Sequence, residues 1–164
     1  MYKIKQFFRR IYNLYRWFPI IWKDQDWDHH YIFEILKFKL KNQAKYIGSK
    51  DRYVGAKRDA EIMMLCVRLI DKIQSDYYGH EYFDYHKSEF KFIDSISHPG
   101  SYEMEIKHIS NNYKDYFKKY PRIYKQVKGK DKHKTAFNIA RINEERAHKL
   151  LFKILEQNIR RWWD

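Results

Sequence analysis

YKIKQFFRRIYNLYRWFP, residues 2–19, is the stretch from which the fold is read. Its apolar side chains, Ile4, Phe7, Phe8, Ile11, Leu14, Tyr15 and Phe18, recur at i, i+3, i+4 and i+7, the period of one helical face. The spacing predicts a helix over 3–17 whose stripe faces a core. Pro19 is expected to close it, because the residue before a proline is pushed out of the α region. The same period continues outward. A second helix near residues 28–47, capped by Asp26 or Asp28, would bury Ile32, Ile35, Leu36, Leu40, Ala44 and Ile47 and stop at Gly48. A third, at about 57–77, would bury Ile62, Leu65, Cys66, Leu69, Ile70 and Ile73. A short helix over 111–119 should stop before Pro121, with a charged loop from Val127 to Lys134. A long helix over 135–162 would bury Phe137, Ile139, Ala140, Leu151, Ile154, Leu155 and Ile159, among others. Tyr102, Met104 and Ile106 alternate with Glu103, Glu105 and Lys107, the period of a strand. The expected fold is mainly α: a compact helical domain of four to five helices with a small β element near residues 102–109, all within a single domain of residues 1–164.

Composition agrees with that class. The chain has 164 residues, enough to bury a core without a staple. Five glycines and three prolines starve the turns of a many-stranded barrel. The single cysteine, Cys66, rules out an internal disulfide and a cysteine-based zinc site. The net charge of +13 is concentrated in two places. Residues 1–23 carry Lys3, Lys5, Arg9, Arg10, Arg16 and Lys23 with no acid, a net +6. Residues 114–134 carry nine Lys or Arg against Asp115 and Asp131, a net +7, and the remainder is neutral. Clustered basic charge is the footprint expected for a phosphate-bearing partner.

The first basic segment runs into RWFPIIWKDQDWDHHY, residues 16–31. Trp17, Trp22 and Trp27 lie five residues apart, about 1.4 helical turns, and so would not share one helical face. Flat rings beside cations and carboxylates suit a nucleotide. Trp17, Trp22, Trp27 and Tyr31 are the stacking candidates, Arg16, Lys23 and Lys37 the phosphate candidates, and Asp26, His29 and His30 the polar selectors. The alternative is structural: the tryptophans plug the junction of the first two helices and the aspartates cap the second.

Arg16-Trp-Phe-Pro19, Ile21-Trp22-Lys-Asp24, Asp26-Trp27-Asp28 and Leu36-Lys-x-Lys39-Leu40 together resemble a segment of small tailed-phage proteins. The resemblance covers residues 14–47, about a fifth of the chain. It implies a non-catalytic protein that opposes host defence, by analogy with compact homo-oligomers that sequester nucleotide immune signals without cleaving them.

Other chemistries have less support in the residues. Glu105-x-x-His108 and Glu145-x-x-His148, with Glu34 and Glu61, have the spacing of a dimetal bundle, but residues 102–106 read as strand. Asp26-x-x-His29 with His30 is a further ligand set, and no metal or cofactor is expected. No metalloprotease, nucleophile-elbow or phosphate-loop motif occurs, so catalytic residues are not assigned. The main rival is nucleic-acid binding by Lys118, Lys119, Arg122 and Lys125 among interleaved Tyr and Phe; direct docking on a host protein is the other. The longest apolar run, residues 17–22, is too short to span a bilayer. The 2–18 helix would suit an anionic surface, but its stripe fits a core equally well, and a cytoplasmic protein with no membrane partner is expected. Trp162 and Trp163 at the end of the chain would stay partly exposed in a monomer, which points to a homo-oligomer, with docking back onto the same chain as the alternative.

Overall fold

A computed structural model describes residues 2–24, 27–49, 53–86, 88–108 and 113–162, with His108 described by its backbone only. The chain is mainly helical with a small two-stranded antiparallel sheet. It divides into two compact units, one comprising the residues up to Gln74 together with those from Ile154 onward, the other Ser75–Lys153.

The first unit is built on α1 (Tyr2–Ile21), α2 (His30–Gly48) and α3 (Ala56–Gln74). The N-cap of α2 is His29, whose side chain makes no capping bond; Asp28, one residue earlier, accepts a hydrogen bond from the His30 N–H at 2.8 Å. α2 buries Tyr31, Leu40, Ala44 and Ile47. α3 buries Ala56, Met63, Cys66, Val67, Leu69 and Ile70. The stripes expected on both helices are therefore slightly rotated. Ile32, Ile35 and Leu65 are exposed, and Tyr31, Met63 and Val67 take the inward positions. α2 and α3 pack along each other, and Gly48 permits their closest approach, since a Cβ there would lie 3.2 Å from the Ala60 Cβ. Asp59 is buried at the start of α3, where it accepts from the Tyr53 hydroxyl at 3.0 Å and from Arg58 at 3.3 Å.

α1 corrects the reading of the opening stretch in two respects. Pro19 lies inside the helix, which continues to Ile21 and is followed by a Trp22 N–H bond to the Phe18 carbonyl at 2.9 Å. The donor lost at Pro19 is the one that would reach the Tyr15 carbonyl, and the end of the helix is held by the Ile20 carbonyl, which accepts from the Lys23 N–H at 3.3 Å and from the Tyr31 hydroxyl. The second correction concerns the stripe: no residue of α1 is buried, and Ile4, Phe7, Phe8, Ile11, Leu14 and Phe18 all stand exposed. The partly buried positions are Gln6, Arg16, Trp17 and Ile20, on the other side of the helix. The helix is amphipathic as read, but its polar side is the one that meets the unit.

The second unit begins with α4 (Tyr77–Glu81), a 3-10 turn over Tyr82–Tyr85, and a hairpin of β1 (Ser88–Asp94) and β2 (Tyr102–His108). The expected β element is present, with a partner strand that the sequence reading did not identify. Phe90 pairs with Ile106 and Phe92 with Met104 on one face; Glu89 pairs with Lys107 and Lys91 with Glu105 on the other. His108 lies three strand positions beyond Glu105, on the opposite face. The connection turns at Gly100, whose φ of +88° requires glycine.

α5 (Tyr113–Lys119), α6 (Pro121–Val127) and α7 (Lys132–Asn158) follow. Pro121 stops one helix as expected and also starts the next at its first position, where a missing N–H has no consequence. The charged loop is shorter than expected because Asp131 caps α7, accepting from the N–H groups of His133 at 2.8 Å and Lys134 at 3.1 Å. α7 accordingly starts at Lys132 and ends at Asn158, earlier at both ends than read; Phe137 is half-exposed, Ile159 lies exposed just beyond the helix, and Ala136, Ile139, Ala140 and Leu151 are buried. The core of this unit is Tyr82, Tyr113, Tyr116, Phe117, Ile123, Ala136, Ile139 and Ala140. Glu81, 7% exposed, accepts from Tyr120 at 2.6 Å and is paired with Lys119.

Candidate ligand-binding cleft

On the polar side of α1, Arg9, Asn13 and Arg16 are spaced at i, i+4 and i+7, with Trp17 beside them. They face a second polar stripe on α2, Lys39, Asn42, Gln43 and Tyr46, with Phe38 below. Between the two helices lies a cleft of about 440 Å³, whose remaining walls include Tyr53 and Trp162. That volume falls within the range of small-molecule sites.

The cleft is basic and aromatic. Arg9, Arg16 and Lys39 line it, and no carboxylate, imidazole or thiol does so among the described residues. The Arg16 guanidinium donates to Asn42 Oδ1 and sits 5.7 Å from the centre of the Phe38 ring. Asn42 is in turn oriented by its own Nδ2–H bond to the Phe38 carbonyl at 2.8 Å. Trp17 meets Phe38 edge to face at 4.7 Å. The Tyr53 hydroxyl is held by Asp59, and burial followed by the bond to Asp59 raises its pKa above the usual tyrosine value, so it remains a neutral wall. Two donors in this lining, both buried, have no partner among the described residues: Gln43 Nε2 and the indole Nε1 of Trp162. A buried donor left without an acceptor costs about 1–3 kcal/mol, which a ligand acceptor would recover.

Only two of the residues singled out in the sequence meet here, Arg16 and Trp17. Trp22 and Trp27 are 75% and 81% exposed, and Lys23 and His29 are exposed beside them. Asp26 lies outside the described residues. Tyr31 faces inward, and its hydroxyl is engaged by the Ile20 carbonyl, so it offers no stacking surface. His30 bonds Gln74, through its ring Nε2 at 3.0 Å and its carbonyl at 3.2 Å. Lys37 is held by Glu34 at 2.5 Å, Gln74 at 2.7 Å and Asp71 at 3.3 Å, a site already neutralised by carboxylates. Of the described residues of the 16–31 corner, the cleft therefore takes Arg16 and Trp17, and Trp22, Lys23, Trp27 and His29 stand exposed outside its lining. The sequence reading missed Arg9, Lys39, Gln43, Tyr53 and Trp162, although polar residues at helical spacing on the side of α1 away from its apolar stripe carried the signal for the first of them.

Trp162 is 2% exposed, so it does not provide the exposed surface from which a homo-oligomer was inferred; Trp163 lies outside the described residues. In the second basic segment the rings are largely taken up by packing. Tyr113, Tyr116 and Phe117 are core residues, and Tyr124 stacks on Phe117 at 4.5 Å. Lys118 bonds Asp115 at 3.1 Å and Lys119 pairs with Glu81, while Arg122 and Lys125 lie on α6. Glu145 and His148 stand with Glu144 and Lys149 on the outside of α7, and no group of three potential metal ligands occurs among the described residues.

A cluster that sequence reading did not foresee lies in the second unit. The Tyr113 hydroxyl is within 2.5 Å of His86 Nδ1 and 2.9 Å of His133 Nδ1, and the two imidazoles are 4.6 Å apart, centre to centre. A hydroxyl donates once, so with both rings neutral one Nδ1 accepts from it and the other must carry its own proton and donate. Burial raises the Tyr113 pKa to about 12, with smaller effects from Tyr82 and Asp131.

Comparison with known proteins found no matching family model, no similar curated protein and no similar solved structure.

Proposed function

We propose that this protein binds a phosphorylated nucleotide in the cleft between α1 and α2 and holds it without turnover. The observation that carries this reading is the lining: among the described residues it holds three cations, aromatic rings and two N–H donors with no partner, and no carboxylate to oppose an anion. Arg9, Arg16 and Lys39 are assigned to phosphate, and Gln43 Nε2 and Trp162 Nε1 to acceptor atoms of the ligand. The rings of Trp17 and Tyr46 are assigned to the base. Turnover is disfavoured because the described lining supplies no carboxylate, imidazole or thiol to serve as base or nucleophile. The likeness of residues 14–47 to tailed-phage proteins gives the reading its biological form, sequestration of a host nucleotide signal in the cytoplasm.

The test is calorimetry and thermal melting of the full chain against cyclic di- and trinucleotides, ADP-ribose derivatives and inorganic phosphate, with the bound ligand recovered by heat and checked for integrity. A nucleotide should raise the melting temperature and return intact. Arg9→Ala and Arg16→Ala should each weaken binding by about tenfold or more, the loss of a hydrogen bond to a charged group. If no nucleotide in the panel shifts melting, or if the recovered ligand is cleaved, the reading fails.

A further inference from the structure

The outward face of α1 stands independently of the cleft, on the opposite side of the same helix. Ile4, Phe7, Phe8, Ile11, Leu14 and Phe18 are 47–69% exposed, and Tyr12, Tyr15 and Trp22 extend the patch. At about 100° per residue these side chains subtend roughly half the circumference over five turns. A partner helix covers a narrower seam than that, whereas a half-cylinder matches a plane.

Charge decides between the candidate planes. Residues 1–23 hold six Lys or Arg and no acid, with Lys3 and Arg10 along one margin of the apolar face and Lys5 along the other. A second copy of α1 would bring the same sign against it. A surface of anionic headgroups brings the opposite sign, with basic side chains at the margin reaching headgroups while the rings enter below them. Phe, Tyr and Trp are the side chains that settle at that depth. No described helix is long and apolar enough to cross a membrane, so contact would be confined to the surface. The helix is also already formed: the Trp17–Phe38 contact, the Arg16–Asn42 bond and the Tyr31–Ile20 bond hold it from the other side.

We infer that α1 docks in the plane of a bilayer surface bearing anionic lipid headgroups, with its Phe-rich face down. The test is co-sedimentation of the full chain with vesicles of phosphatidylcholine alone and of phosphatidylcholine mixed with phosphatidylglycerol. Binding should require the anionic lipid and weaken as salt is raised. Phe7→Ser and Leu14→Ser, at exposed positions that line no part of the cleft, should each reduce partitioning by about tenfold or more, with the helical circular dichroism unchanged. Lys3→Glu with Arg10→Glu should abolish it while nucleotide binding persists, so failure here and failure of the cleft reading are distinguishable. Three results would overturn the inference: no sedimentation with either vesicle, equal sedimentation with both, or a dimer in light scattering that Phe7→Ser dissociates in the absence of lipid, which would assign the face to a second copy.

Discussion

Cys66 and Glu81 show how far burial governs single side chains in this protein. The Cys66 thiol, fully enclosed on α3, is pushed up to about 11 by burial, so the thiolate is scarce at neutral pH. A thiol reagent should therefore leave the native protein unmodified and label it only after denaturant is added, as followed by absorbance or mass. Glu81 gathers Tyr120, Lys119 and Tyr77 in the second unit. Removing it as Glu81→Ala strands those donors and should lower stability by about 1–3 kcal/mol in a urea titration. The Lys119 pKa is raised, chiefly by its hydrogen bond to Glu81, and that of Tyr113 is raised to about 12 by burial. Both groups hold their protons more tightly in the folded state. Their contribution is full below the unfolded values, about 10 for Tyr and 10.4 for Lys, and is lost as pH rises through the folded ones. Urea midpoints should hold steady up to about pH 9 and fall above about pH 10. None of these partnerships was legible in sequence, because residues such as Glu81 and Tyr120 are brought together only by the folded chain.

Single elements were more legible than their surroundings. The period of hydrophobic residues placed α1, α2, α3 and α7 within a few residues of where they stand. It did not fix which side of an amphipathic helix faces the protein. Burying the apolar side is the ordinary solution, and α1 departs from it because Arg16, Trp17 and Ile20 supply the contacts that attach it. For the same reason the cleft was only partly legible: Arg16 and Trp17 were picked out as neighbours of tryptophans, whereas Arg9 belongs to the cleft by helical spacing. Pro121 was read as a stop although proline is equally a start. The junction of α2 and α3 yields a prediction at this scale. Gly48→Val would place a side chain where a Cβ already comes within 3.2 Å of Ala60, and should destabilise the first unit by about 1–3 kcal/mol in thermal or urea melts.

At the scale of the whole chain, the two basic segments fall in different units, residues 1–23 in the first and 114–134 in the second. A net charge of +13 opposes compaction by self-repulsion, and added salt screens it. Melting temperature should therefore rise modestly when sodium chloride is increased from about 0.05 to about 0.5 M, even as binding of any anionic partner weakens. The tryptophans divide by site as well. Trp17 and the enclosed Trp162 line the cleft, whereas Trp22 and Trp27 stand in solvent at the end of α1 and just beyond it. The described tryptophans thus form two groups that differ in their access to solvent. In a Trp163→Phe variant, a quencher dissolved in water reaches the second pair and not Trp162, so emission that survives quenching reports on the cleft, while a blue shift in the quenchable fraction reports on whatever meets α1.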